Sequence, residues 1–110
     1  MSNMSTKLTY KNICGYQTTI ISKRDSSGIL ISVISTCPTI QSLGLEKLLF
    51  SEEELYLPLT KISSLVNLLE KITPSCFLPI MILNVLRMEG GFLSKTLAKK
   101  NHLISVINIE

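Results

Sequence analysis

Residues 16–35 read YQTTIISKRDSSGILISVIS, and this stretch decides the fold class. Its two halves, residues 16–23 and 29–35, are rich in β-branched and apolar side chains at alternating positions, a pattern typical of strands. The segment between them contains Asp25, which can bond its own backbone, and Gly28, which accepts a positive φ. The stretch therefore predicts an antiparallel β-hairpin with a short turn.

The chain that follows the hairpin predicts helices. Pro38 suits a first helical position, because the N–H it lacks would be unpaired there, and Gly44 ends this short helix. Residues 51–54, SEEE, match a capping box. The next apolar stripe has helical spacing and consists of Ile62, Leu65, Val66 and Leu69. A further helix starts at Pro79, ends at Gly90, and is apolar nearly all round, which predicts that it is buried across the sheet.

A last apolar run, residues 103–109, predicts a C-terminal strand. The order of strand, strand, helices and strand predicts an α+β fold. We expect a single small domain with an N-terminal antiparallel β-hairpin, two to four helices on one face, and the C-terminal strand. Residues 1–6 are predicted to be a disordered N-terminal lead, and residues 7–110 to form the single α+β domain.

Composition excludes several classes of protein. The chain has 110 residues, of which 45% are hydrophobic and 17% charged, so it has the material for a core. Its longest apolar run, residues 77–86, is far shorter than the roughly 18–20 residues of a membrane span. The first residues, MSNMSTK, lack the order of a signal peptide. These observations predict a cytoplasmic protein without membrane association.

The charge pattern does not favour nucleic acid as a partner. The net charge is +3, and the basic residues are scattered apart from one cluster, Lys95, Lys99 and Lys100. Nucleic-acid-binding surfaces usually combine a basic stripe with aromatic platforms, and tryptophan is absent here. The single histidine, His102, has no neighbour in sequence that would make it a ligand or a base. We therefore predict no specific nucleic-acid binding.

The chemistry of the chain is concentrated in three cysteines, Cys14, Cys37 and Cys76, with no CxxC pair. A hairpin turn within residues 25–28 places Cys14 and Cys37 at the same open end of the hairpin, within about one pair of direct opposition and on its inward side. Cys37 and Cys76 each come shortly before a predicted helix, where the positive dipole end favours thiolate. If the helix after Cys76 packs on the hairpin, all three sulfurs can meet.

This arrangement predicts that Cys14, Cys37 and Cys76 bind a metal ion or an iron–sulfur cluster. Soft sulfur ligands favour zinc and iron–sulfur clusters, and three ligands leave a fourth position open. Two alternatives stay open: a metal-free thiol redox or persulfide-carrying protein, and a non-catalytic dimeric interaction module with buried structural cysteines. A thin core and an apolar helix also predict a homodimer. The sequence identifies no catalytic residues and no small-molecule ligand, and whether the protein is an enzyme stays open.

Three short segments carry a resemblance to a known family: residues 13–16 (ICGY), residues 35–38 (STCP), and residues 76–79 (CFLP), with Ile82 and Glu89 following. They resemble a family of small uncharacterised three-cysteine proteins found largely in anaerobic bacteria and archaea, over residues 10–109. Phe77 stands where that family tends to have proline, and Thr73 where histidine is common, so a histidine ligand at that position would be missing here. The resemblance implies that the cysteines belong together, and it implies no reaction.

Overall fold

The computed structural model describes residues 4–12, 14–72, 77–91, 96 and 106–110. These residues form the predicted α+β fold, an antiparallel sheet with helices packed on one face. The strands are β1 (Met4–Lys11), β2 (Gln17–Asp25), β3 (Gly28–Ser35), β4 (Leu48–Phe50) and β5 (Val106–Ile109), in the spatial order β4-β3-β2-β1-β5. The α-helices of this part of the chain are α1 (Pro38–Ser42), α2 (Ser63–Leu69) and α3 (Leu78–Glu89).

The predicted hairpin is confirmed as strands β2 and β3. Their pairing runs from Thr18 opposite Ser35 to Asp25 opposite Gly28, so the turn consists of the two residues between Asp25 and Gly28. Gly28 has a φ of +135°. The two turn residues, Ser26 and Ser27, have no positive φ, and the positive φ falls on the residue directly after them, where glycine adopts it without steric cost. The turn residues therefore set the register of the whole hairpin.

Two strands were not predicted. Strand β1 begins at Met4, so residues 4–6 belong to the sheet and not to the lead that we expected there. It lies between β2 and β5 and pairs antiparallel with both. Strand β4, only three residues long, pairs with β3 at the opposite edge. The C-terminal strand is present as β5, and the start that we predicted for it, Leu103, lies outside the described residues.

The two faces of the sheet differ in their cover. One face carries the core, which includes Leu8, Ile20 and Ile31 from the strands, each at most 2% exposed. The helices pack on this face, and each fully buried aliphatic side chain contributes about 1.5–3 kcal/mol through removal from water. The other face carries Ile34 and Leu49, which are 61% and 63% exposed. The helices thus lie on one face of the sheet, as predicted.

Helix α3 crosses strands β1 and β2 and is the main cover of the sheet. Pro79 lies in its first turn, and Gly90 follows its last residue, as predicted. The helix is not buried on every side, because Ile80 is 48% exposed. In α2, Leu65 and Leu68 face the core while Leu69 is exposed, so including Leu69 in the buried stripe was wrong.

The capping pattern at residues 51–54 begins a 3-10 helix, Glu52–Leu55. The Ser51 N–H donates to the Glu54 carboxylate at 2.9 Å, which is the backbone half of a capping box. This turn is tied to α3 by Arg87, whose guanidinium donates to the carbonyls of Leu55 and Leu57 at 2.6 Å each. Across the part of the chain described, no helix has the length and hydropathy needed to cross a membrane.

Arg24, near the end of β2, joins three elements. Its guanidinium donates to the Glu52 carboxylate through Nε and Nη2, and to the backbone carbonyl of Glu89 through Nη1 at 2.6 Å. The hydrogen bond from Arg24 lowers the pKa of Glu52 below its ordinary value of 4.5. A carboxyl with a lowered pKa stabilises the fold above its unfolded-state pKa, and this stability is lost as pH falls through the folded-state value.

We therefore expect Glu52→Gln to lower the free energy of unfolding near neutral pH by less than about 1 kcal/mol, because the pair is solvent-exposed. The difference from the wild-type protein should shrink as pH falls through the lowered pKa of Glu52, where its carboxyl is protonated. Urea denaturation of both proteins at neutral and at acid pH measures this. A loss that stays constant over the whole pH range would contradict the role assigned to the Glu52 charge.

Candidate functional site

The site is built at the open end of the β2–β3 hairpin. Beyond the last strand pair, the Thr36 N–H donates to the Gln17 carbonyl at 3.0 Å, and the Gln17 N–H donates to Thr36 Oγ1 at 3.0 Å. These two bonds extend the pairing to the residue directly before Cys37. The hairpin register that the turn sets at one end therefore determines the position of Cys37 at the other.

Cys37 is held through its backbone. Its N–H donates to Ser35 Oγ at 3.0 Å, and its carbonyl accepts the Gln41 N–H at 2.9 Å as α1 begins. Ser35 is buried, and its hydroxyl also shares a 2.8 Å hydrogen bond with the hydroxyl of Thr18. The Cys37 side chain is half-buried and packs against the core. Cys37 thus sits at a rigid junction between β3 and α1.

Cys14 occupies a different kind of position. We expected it at the open end of the hairpin, within about one pair of direct opposition to Cys37; β2 begins at Gln17, and Cys14 lies exposed in the turn between β1 and β2. The turn is closed by two hydrogen bonds of 2.9 Å, from the Asn12 N–H to the Tyr16 carbonyl and from the Gly15 N–H to the Asn12 carbonyl. Gly15 has a φ of +90°, which favours glycine. Strand β1 precedes β2 and pairs antiparallel with it, so the chain has to reverse its direction at this turn.

Both cysteines nevertheless line one pocket of about 200 Å³. The other residues that line it are Asn12, Tyr16, Thr39, Ile40 and Ile72. They come from the β1–β2 turn, from the junction of β3 with α1, and from the chain after α2. The hairpin arithmetic thus placed Cys14 and Cys37 in the same neighbourhood, although a turn and not a strand carries Cys14.

The third predicted ligand, Cys76, lies outside the described residues, as do Thr73, His102 and the cluster Lys95, Lys99 and Lys100. The residue after Cys76 is described. The Phe77 N–H donates to Asn12 Oδ1 at 3.2 Å, and Asn12 lines the pocket that contains Cys14 and Cys37. One end of α3 is therefore attached to the edge of the pocket.

Within the described ranges, no group of three or more histidine, cysteine, aspartate or glutamate side chains is placed to hold a metal ion. Cys14 and Cys37 supply two sulfurs, and Cys76 lies outside these ranges. The three-cysteine site accordingly stays a prediction.

A buried polar cluster at the other end of α3 was not predicted. Glu89 is 2% exposed, and its Oε1 accepts hydrogen bonds from Thr6 Oγ1 at 2.8 Å and from Ser22 Oγ. Its second oxygen, Oε2, is buried without a hydrogen-bond partner among the described residues. Thr6 and Ser22 stand directly opposite each other on β1 and β2. Polar residues at core-facing positions of two neighbouring strands were the signal that could have indicated this cluster.

Comparison with known proteins identifies the family but no relative of known activity. No curated protein and no solved structure matches the chain significantly. A model of a family of unknown function, DUF6951, matches residues 6–101. The match covers most of the chain, including all three cysteines and Glu89. The chain therefore belongs to the DUF6951 family of unknown function.

Proposed function

We propose that the protein binds a metal ion or an iron–sulfur cluster through Cys14, Cys37 and Cys76. The observation that carries the proposal is that Cys14 and Cys37 line one pocket although 23 positions separate them in the chain. The pocket also gives the two sulfurs unequal access to solvent, since Cys14 is exposed and Cys37 half-buried. A site of this kind is open on the Cys14 side and anchored on the Cys37 side.

Chain connectivity supports Cys76 as the third ligand. Phe77 is tied to the pocket residue Asn12 by its backbone N–H, at 3.2 Å. Cys76 directly precedes Phe77 in the chain, and consecutive Cα atoms are about 3.8 Å apart across a trans peptide bond. The hydrogen bond from Phe77 to Asn12 thus limits the distance between the third sulfur and the other two.

The donor set favours soft metals. Thiolate sulfur selects zinc and iron–sulfur clusters over magnesium and calcium, which prefer oxygen ligands. Three protein ligands leave one coordination position open, the arrangement that catalytic zinc sites use. Among the pocket residues, Tyr16 and Thr39 carry hydroxyl groups that can face a ligand in such a position. The proposal therefore concerns binding, and it assigns no reaction.

The test is anaerobic purification of the full chain, followed by measurement of iron, zinc and acid-labile sulfide per chain and by an absorbance spectrum. We expect metal in the wild-type protein, and a loss of metal affinity in Cys14→Ser, Cys37→Ser and Cys76→Ser. The loss should exceed the roughly 10–100-fold that replacement of an outer-shell partner causes, because a ligand itself is removed. The variants should lose metal before they lose folding, which circular dichroism can follow.

Thr39→Val is the matched control, because it changes an exposed side chain of the same pocket without removing sulfur. It should keep the metal content of the wild-type protein. If Cys37→Ser and Cys76→Ser both keep full metal content, the site lies elsewhere or does not exist. The predicted homodimer and the predicted absence of nucleic-acid binding are separate from this experiment and stay predictions.

A further inference from the structure

We propose that Cys14 and Cys37 form a disulfide when the protein meets a small-molecule disulfide, and that this bond releases the metal. The inference rests on the proposed function for the release step, and on the shared pocket for the pairing itself. It assigns the pocket a second, oxidised state. Metal binding and oxidation then compete for the same two sulfurs.

The two thiols have the unequal positions that such a pair needs. Cys37 is fixed, because its N–H donates to Ser35 Oγ at 3.0 Å and its carbonyl accepts the Gln41 N–H at 2.9 Å. Cys14 lies in an exposed turn beside Gly15, and no heavy atom lies within 4 Å of the position that a Cβ would take on Gly15. The space beside Gly15 in this turn is therefore open.

A disulfide requires its two Cα atoms to be about 4.4–6.8 Å apart. Antiparallel strands lie about 4.7–4.9 Å apart, and the β2–β3 pairing continues as far as Gln17 and Thr36. Cys37 follows this pair directly, and the β1–β2 turn that carries Cys14 borders the same pocket. The fold thus provides strand-pair spacing directly before Cys37 and three residues after Cys14.

The disulfide forms through two successive thiol–disulfide exchange steps. The exposed Cys14 thiolate attacks one sulfur of the small disulfide RSSR, forms a mixed disulfide, and displaces one RS⁻. The Cys37 thiolate then attacks the Cys14 sulfur, which forms the Cys14–Cys37 bond and displaces the second RS⁻. The two protein thiols lose two electrons and two protons, and RSSR is reduced to two RSH. Both sulfurs cease to be thiolates, so two of three proposed ligands are lost.

The experiment uses the full chain, reduced and purified anaerobically, both metal-free and loaded with zinc, with glutathione disulfide as the probe. Intact mass and non-reducing peptide mapping detect the bond, and a chromogenic chelator detects released zinc. We expect a peptide that joins Cys14 to Cys37, a mass lower by two hydrogen atoms, and zinc release in proportion to the bond. Cys76→Ser should form the same bond in its metal-free state.

A double variant, Cys14→Ser with Ser26→Cys, is the matched control. It keeps the number of thiols but moves the exposed one to the turn at the other end of β2, a strand of nine residues. At about 3.3 Å per residue, that position is too far from Cys37 to form a bond. This variant should accumulate a glutathione adduct without an internal disulfide at Cys37.

Three results would overturn the inference: a lasting glutathione adduct on Cys14 of the wild-type protein, a bond that prefers Cys76, or a Cys14–Cys37 bond that leaves zinc in place. Failure of the proposed function is seen separately, as a reduced protein that takes up no metal. In that case no metal is bound that the disulfide could release, and the proposed release step is contradicted as well. Peptide mapping of the metal-free protein then still decides the pairing.

Discussion

Replacing Glu89 by alanine is expected to lower the free energy of unfolding by about 2–4 kcal/mol, one of the two largest effects we expect from a single substitution in this chain. The Glu89 carboxyl is buried, and its Oε1 accepts hydrogen bonds from Thr6 Oγ1 and Ser22 Oγ. Alanine would leave both hydroxyls buried without their acceptor, and each unsatisfied group costs about 1–3 kcal/mol. Urea denaturation followed by circular dichroism measures the loss.

Glu89→Gln is the matched control, because its amide oxygen can accept the same two hydrogen bonds. We expect a smaller loss for this variant than for Glu89→Ala, because both hydroxyls keep their acceptor. A triple variant, Thr6→Val, Ser22→Ala and Glu89→Leu, should recover part of the stability that alanine loses, because no hydroxyl is left without its acceptor, while the Thr6 N–H loses its 3.2 Å bond to Ser22 Oγ. Equal losses for Glu89→Ala and Glu89→Gln would show that the hydrogen bonds do not matter.

Gly28→Ala is expected to cost about 3 kcal/mol, through two separate effects. The φ of Gly28, +135°, is one that residues with a side chain rarely adopt. In addition, a Cβ at this position would lie 2.6 Å from the backbone oxygen of Phe50, so the edge strand β4 would have to move. The same denaturation measurement applies, and a lower cooperativity of unfolding would indicate that β4 has detached.

Gly15→Ala separates the two effects. Gly15 also has a positive φ, +90°, but no heavy atom lies within 4 Å of the position of an added Cβ. Only the backbone strain remains, which costs about 1–2 kcal/mol for a residue in a left-handed conformation. If both alanine variants lose the same stability, the contact with Phe50 has no part in the effect at Gly28.

Local sequence patterns predicted the elements whose signals are strong and close together. The hairpin was readable because Asp25 and Gly28 supply turn chemistry between two alternating runs. Strand β1 was missed because its core-facing positions mix the apolar Leu8 and Tyr10 with the polar Thr6, which weakens the alternation. Strand β4 was missed because its three residues are too few to show a period. Pairing with neighbouring strands, and not local preference, determines both.

The candidate site was predicted only in part, because some of its residues are positioned by local signals and others by strand and helix packing. The register of a hairpin follows from its turn, so the nearness of Cys14 and Cys37 could be inferred from their positions in the sequence. The exact place of Cys14 could not, because it depends on β1, which turns the chain back before β2. For the Glu89 cluster, the polar residues Thr6 and Ser22 at core-facing strand positions were a signal, but their pairing with Glu89 depends on how α3 lies across the two strands, which the sequence pattern does not show.

The position of β1 between β2 and β5 has a consequence for synthesis of the chain. Its partner β2 follows within a few residues, whereas β5, at residues 106–109, is synthesised only after the other described elements. Until then, one edge of β1 presents unpaired N–H and C=O groups, which are a template for pairing with another chain. Chains in which β5 has not yet been made, or has been removed, should therefore be the forms most prone to aggregate, because β5 covers that edge of β1.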